Sequence, residues 1–421
     1  MMVADNNVQS RYVAYILFAL IIISHGVSYV HWNMGFWVPL IKIVCVVWAF
    51  YLFTHRDLLS CRFKGLICFL AFYPLVSIFT SAEMYEQGES ISLKAALINF
   101  VWLVYFYLHK IKLSEQTVIK AFSIFALIIV GLQVIQQFTY PAADFGVDTP
   151  EIMQAFGRSE KAGMRNGIYR FWVNQNGYVT MVVLLFFLIK LKDQFSVKKM
   201  IFVLLMFVSI YLTLTRQVMA SALFVVVLAL LNIKSRKDLM KSIVFIGVLA
   251  YVGYTFSDVL FEELSEQTQD EANENNIRVF AYVFYWEKIT DNVMTFILGN
   301  GMPGSSGPFK KLIDLWQYDY GYWPVDIGFV GFWFHYGLIY IVAFFYANSL
   351  LLIRYRKAVP KYLSLTVLFT LLMSIMAFPY WGQFCYFFWP FIFYLYDLHI
   401  DQYNLSFESN SCDIVQNHNT L

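Results

Sequence analysis

Apolar residues in this chain come in blocks of about twenty, separated by short polar stretches, many of them basic. A bilayer core of about 30 Å takes roughly 20 residues of helix. With that window the pattern predicts spans near 12–31, 36–53, 64–80, 95–109, 118–138, 171–190, 200–213, 217–232, 242–257, 326–353, 362–378 and 383–398. The first run, Tyr12–Tyr29, follows a single Arg and lacks a small-x-small cleavage site. It is expected to be a retained helix and not a removed signal peptide.

The pair 200–213 and 217–232 needs separate treatment. As one helix, 201–231 would be about 46 Å long, too long for a modest tilt. The flanking segments KLKDQFSVKK (190–199) and NIKSRKDLMK (232–241) are both strongly basic, which places both on the cytoplasmic side. An even number of crossings must then separate them, so a hairpin is expected with its tip at Thr213–Gln217. Alternate loops THRDLLSCRFK (54–64), HKIKLSEQ (109–116) and RYRKAVPK (354–361) are basic as well, whereas SAEMYEQGES (81–90) is acidic. The expected fold is an all-α polytopic membrane protein of about twelve helices in a single integral membrane domain, both termini cytoplasmic.

Two long loops fall on the outer side, 139–170 and 257–325, the second just before helix ten. The larger opens with DVLFEELSEQTQDEANEN (258–275), which has seven carboxylates and no Lys or Arg and reads as a solvated face. IRVFAYVFYWEKI (277–289) reads as an interfacial helix with an apolar, aromatic face. GNGMPGSSGP (299–308) reads as irregular loop, and no G-K-[ST] follows it to make a phosphate-binding P-loop. LWQYDYGYWP (315–324) places Tyr318, Tyr320, Tyr322 and Trp323 together, either as an interfacial aromatic belt or as a surface for stacking sugar rings.

Composition narrows the chemistry. The chain is 59% hydrophobic and 14% charged, with a mean hydropathy of +0.59, so its solvent is largely lipid. A formal net charge of +2 does not point to nucleic acid. None of the five cysteines lies in either long loop or has metal-ligand spacing, which argues against a disulfide or zinc framework. There is no H-E-x-x-H, no Asp-x-Asp, no G-x-S-x-G and no nucleotide-binding loop. Chemistry that uses neither a soluble nucleotide nor a protein-held metal is what remains. The halves show no inverted repeat, which weighs against a transporter.

Positive charges on the expected outer face stand out because the positive-inside bias acts against them. They are Arg158, Lys161, Arg165, Arg170, Arg216 and Arg278, with Lys42 and Lys94 near outer helix ends. Arg offers a permanently charged planar fork that binds phosphate bidentately, and a lipid-linked pyrophosphate is the anion such a face would meet. Snorkelling or structural ion pairing is the alternative for each. Asp326, at the start of helix ten, is either a base for an outer-side hydroxyl or the N-cap of that helix. His335 lies nine residues on, so on a regular helix it faces the opposite side about 14 Å deeper, as a packing histidine would.

These residues form motifs that resemble the O-antigen polymerase and O-antigen ligase superfamily of bacterial inner-membrane glycosyltransferases. YLTLTRQVMASALFVVV (211–227) resembles its Thr/Ser-Arg motif at a tight outer turn. NIRVFAYVFYWEKITDNVMTFILGNGMPG (276–304) resembles its Arg-bearing segment that runs to a Gly-x-Gly stretch. PVDIGFVGFWFHYGLIYIV (324–342) resembles the segment closing the large loop, and RFWVNQNGYVTMVVLL (170–185) the earlier Arg…Asn motif. The resemblance covers roughly 165–345. It implies that Arg216 and Arg278 engage an undecaprenyl pyrophosphate and assist its departure; Asp326 is the candidate base from its position at the start of helix ten. Arg170 and Asn176 would line the same chamber, and Arg165, Tyr282 and His335 would complete the substrate side. Ligases of the family carry a catalytic His where this chain has Asp326, which favours a polymerase over a ligase. The implied partners are undecaprenyl-pyrophosphate-linked oligosaccharides, membrane lipids, a chain-length regulator and a flippase, with no cofactor. A polysaccharide exporter, the reading from another class, would place its charges along a midplane cavity.

Overall fold

In the computed structural model, residues 6–23, 34–55, 61–139, 164–165, 168–169, 176–231, 277–375 and 382–418 are described, with single positions at 240, 243 and 247. The described residues are mostly helical, with runs apolar enough for a membrane-embedded protein. Helices α1 (Asn6–Ile23) and α2 (Met34–Thr54) come first. Helix α3 (Lys64–Phe72) runs through a 3₁₀ turn, Tyr73–Val76, into α4 (Ser77–Tyr85). The turn falls at Pro74, which has no N–H for the α ladder. Helix α5 (Glu89–Ala96), a 3₁₀ stretch (Leu97–Leu103) and α6 (Val104–Ile111) form the next crossing. Helix α7 (Glu115–Thr139) starts at Ser114, whose hydroxyl accepts from the Thr117 N–H as an N-cap does.

A two-residue hairpin of β1 (Met164–Arg165) and β2 (Ile168–Tyr169) follows. It is tied to α7 by Gln137, whose amide both donates to the Tyr169 carbonyl and accepts from its N–H, each at 2.8 Å. Then come α8 (Asn176–Asp193), α9 (Val197–Leu212) and α10 (Arg216–Leu230). The segment before the long closing helix holds α11 (Ile277–Thr290), α12 (Val293–Leu298) and α13 (Pro308–Asp314), the last continuing as a π turn over Leu315–Asp319. Helix α14 (Gly328–Ser349), α15 (Lys361–Met373) and α16 (Gly382–His418) complete the chain.

Among the described residues four helical runs are long and apolar enough to cross a bilayer: Lys64–Tyr85, Glu89–Ile111, Glu115–Thr139 and Pro324–Arg354. The shorter apolar helices include Arg216–Leu230 and Lys361–Met373. The predicted span 242–257 lies outside the described residues save positions 243 and 247.

Helices α9 and α10 do form a hairpin. At one end of α8, Gly177 packs on Val218, at the start of α10. At its other end the Lys192 ammonium donates to the Leu230 carbonyl, at the close of α10. Helices α8 and α10 therefore run parallel, and α9 must return between them. Helix α15 runs opposite to α10, because Lys361 reaches the Ala229 and Leu231 carbonyls while Gln217 reaches Leu372 and Met373.

The ends carrying Lys192 and Lys361 belong to a cluster of polar contacts drawn from the basic loops. Asp397, 2% exposed, accepts from Arg62 Nε at 2.9 Å and the Tyr105 hydroxyl at 2.6 Å, and pairs with His109 Nε2 at 3.1 Å. Glu115 accepts from the Tyr362 hydroxyl at 2.6 Å and pairs with His399 at 3.3 Å. A buried carboxylate with three partners is costly to break, because the partners are left buried and unmatched. We expect Asp397→Asn to lower stability by about 3 kcal/mol. The check is the thermal unfolding midpoint in detergent, compared with Asp401→Asn at the half-exposed second carboxylate held by Arg62.

The expected outer loop 257–325 departs most from its prediction. Residues 257–276 lie outside the described set, but 277–323 fold back onto the first half of α14 around a second apolar core of Tyr285, Ile289, Phe309, Ile313, Trp316 and Phe334. The Gly-rich stretch is no free loop. Asn300 N–H donates to the Phe334 carbonyl at 2.7 Å and Gly301 N–H to the His335 carbonyl at 2.9 Å. Those carbonyls are available because α14 breaks at Gly337 (φ 76°, ψ 173°). On its other side the stretch is held by Gln87, which donates to the Met302 carbonyl and accepts from the Gly304 N–H. The outward face of α11 exposes Val279, Phe280, Val283 and Trp286 without an intervening charge, as a surface against lipid does.

Candidate functional site

Three segments that bear predicted residues meet at one turn, Leu372–Ile375, where α15 ends. The last carbonyls of a helix have no partner within it, and here side chains from elsewhere supply them. Gln217 Nε2 donates to the Met373 carbonyl at 2.7 Å and to Leu372 at 3.2 Å. The Tyr282 hydroxyl donates to the Ile375 carbonyl at 2.9 Å. Gly328 (φ 49°) lies so close that a Cβ would overlap the Ser374 and Ile375 carbonyl oxygens.

Each contact stands next to a candidate of interest. Gln217 follows Arg216, which opens α10. Tyr282 is one turn beyond Arg278 on α11. Burial raises the Tyr282 phenol above its usual range, and the Arg278 guanidinium beside it pulls the other way. Gly328 lies two residues after Asp326. The negative end of the α15 dipole thus points where two arginines are anchored, which favours cations there.

Local structure around Arg216 is unusual in its own right. Leu214, fully buried, takes φ 46°, a conformation that a branched side chain rarely adopts. The residue sits between two threonines that satisfy the turn: Thr213 Oγ1 donates to Ile210 at 2.7 Å and Thr215 Oγ1 to Thr213 at 3.0 Å. The Thr215 hydroxyl is turned back and does not cap the N terminus of α10. A helix start with an arginine as its first residue is electrostatically suited to an anion.

The helices that end at this junction are short. Helices α9, α10 and α15 have 16, 15 and 13 residues, or about 24, 22 and 20 Å. Each is therefore roughly 6–10 Å shorter than a bilayer core is thick. Arg216 is at a hairpin tip, where the loop charges predict it.

The other predicted residues fall as follows. Asp326 is exposed and lies in a 3₁₀ turn, Pro324–Ile327, ahead of α14. Ile327, not Asp326, holds the N-cap position of α14, and Gly328 (φ 49°, ψ −119°) breaks the path from the 3₁₀ turn into that helix. The regular helix assumed in comparing Asp326 with His335 is therefore interrupted at Gly328 and again at Gly337. His335 is fully buried, and its Nδ1 donates to the Gly301 carbonyl at 2.8 Å. It fastens the Gly-rich stretch to α14, away from the Leu372–Ile375 turn. Asn176 opens α8 and Arg165 lies in β1, but their side chains, like the whole of Arg158, Lys161 and Arg170, are outside the described set. Sequence reasoning missed Gln217 and the Leu372–Ile375 turn. No sequence signal marks that turn, because the run stays apolar past Met373 to Phe378 but for Ser374.

No protein-family model matches this chain, and neither does any curated protein sequence.

Proposed function

We propose that this chain polymerises a surface polysaccharide, such as O-antigen, capsule or exopolysaccharide, at the periplasmic face of a bacterial inner membrane. In this reading twelve helices cross the bilayer, both termini are cytoplasmic, and the junction at Leu372–Ile375 opens toward the outer leaflet. One undecaprenyl-pyrophosphate-linked glycan is donor, and a sugar hydroxyl of a second lipid-linked repeat unit is acceptor. The observation that carries the reading is the meeting of the segments bearing Arg216, Arg278 and Asp326 at one turn.

The acceptor oxygen forms a bond to the donor's anomeric carbon, and the bond from that carbon to the pyrophosphate oxygen breaks. The lipid keeps the pyrophosphate. Its developing charge is met by the forked donors of Arg216 and Arg278, fixed at the junction. Asp326 takes the acceptor proton. Asp326 in place of histidine supports polymerisation over ligation to a lipid A core. The placement of charge near one end supports a transferase over an exporter.

Reconstitution with purified lipid-linked repeat units tests this. Longer lipid-linked chains are expected. Transfer to a different acceptor would indicate a ligase, and translocation without new bonds would overturn both transferase readings.

A further inference from the structure

The chain between α13 and Asp326 crosses the start of α11. Gly321 packs directly on Ile277, the residue before Arg278. Tyr322 is anchored by its N–H to the Trp316 carbonyl at 2.7 Å, by its carbonyl to the Tyr285 hydroxyl at 3.0 Å, and by its ring against Phe284. Asp326 N–H donates to the Trp323 carbonyl at 3.1 Å. The backbone on both sides of this crossing is therefore held, and what it presents outward is fixed with it. Tyr318 and Tyr320 are 48% and 51% exposed, with Asp319 exposed between them and Asp326 exposed beyond Trp323. The Tyr318 and Trp323 rings meet edge to face at 5.4 Å, and Tyr320 leans on Tyr322 at 5.9 Å. Tyr318 and Asp319 lie on the π turn Leu315–Asp319, a distortion found often at functional sites.

We propose that Tyr318, Asp319, Tyr320 and Trp323 form a subsite for pyranose rings of the glycan. This inference rests on the transferase reading above for its ligand. A lipid surface is the competing occupant, and the molecule itself offers the contrast. The outward face of α11 is apolar for about two turns, Val279, Phe280, Val283 and Trp286, before it reaches its first exposed carboxylate at Glu287. The neighbouring shelf instead interleaves phenols with two carboxylates. Immersing those carboxylates in the interface would strip them of water and set them against anionic headgroups. A sugar ring suits both groups at once: its C–H face lies on an aromatic ring, and its hydroxyls donate to a carboxylate. The shelf crosses the start of α11 and ends at Asp326, so a bound ring would continue from a pyrophosphate held at Arg278.

The test uses the full chain in nanodiscs of phosphatidylethanolamine and phosphatidylglycerol. The probe is the lipid-free oligosaccharide released by mild acid from the host's lipid-linked repeat units, with binding followed by saturation-transfer NMR. The wild-type protein is expected to bind the probe, and Tyr318→Ala with Tyr320→Ala to weaken it at least tenfold. Tyr318→Phe with Tyr320→Phe, which keeps the rings, should stay within about threefold of wild type. Asp319→Asn should weaken binding severalfold. Equal binding by the alanine variant and the wild type overturns the proposal. So does strong quenching of a Tyr320→Trp reporter by brominated lipids, which would put the shelf in the membrane. Binding is read without any transfer. Probe binding with no chain extension would sink the polymerase reading and leave the subsite, whereas normal extension by the alanine variant at unchanged acceptor KM would sink the subsite alone.

Discussion

Arg216→Lys is expected to lower glycan transfer at least a hundredfold while leaving the thermal unfolding midpoint close to wild type. Lysine keeps the charge but replaces a planar fork by a point donor on a flexible stem. Loss of one fixed donor to a developing oxyanion typically costs about 10²–10³ in turnover. The change should appear in kcat with lipid-linked donor at saturation, not only in KM, because the charge to be met grows as the pyrophosphate leaves. Folding should tolerate it: Gln217, not Arg216, makes the two bonds to the end of α15. Transfer by the lysine variant at the wild-type rate would remove the case for bidentate pyrophosphate binding at this residue.

Gly337→Ala is expected to cost more than about 4 kcal/mol, the range in which a single substitution abolishes recovery of folded protein. Two causes add. At φ 76° and ψ 173° the backbone is in a region that only glycine occupies readily. A Cβ there would also overlap the Ile297 carbonyl oxygen and the Gly299 nitrogen, both backbone atoms with nowhere to retreat. Size-exclusion profiles and unfolding midpoints in detergent read the result. Gly131→Ala, in α7 where nothing lies within 4 Å of the new methyl, serves as the control and should be neutral or mildly stabilising. Gly337→Ala protein as stable as that control would mean the break in α14 is not obligatory.

What could be seen in the sequence follows from what a sequence pattern measures. Apolar blocks gave ranges that fall on α1 to α10 and α14 to α16, because burial in lipid demands long uninterrupted runs. Loop charge, a separate signal, resolved α9 and α10 into a hairpin that periodicity alone could not. Neither signal carries contact between helices. That Arg216 stands beside the end of α15 depends on where α15 stops, and the run beyond Met373, Ser374 apart, stays apolar through Met376 and Ala377 in sequence. The break at Gly337 was equally hidden, since isolated glycines in an apolar helix such as FVGFWFHYGL do not disturb its pattern. GNGMPG reads as a loop in any context, and its partner on α14 lies more than thirty residues away.

That pairing also constrains the order in which the protein can be made. The acceptors for Asn300 and Gly301 are carbonyls of Phe334 and His335, which leave the ribosome later than the glycines that need them. Residues 299–304 therefore lack these backbone partners until α14 has been made and has broken at Gly337. The candidate site is completed from the C-terminal side backwards, and a chain truncated before α14 would hold Arg216 and Arg278 without ever assembling the junction between them.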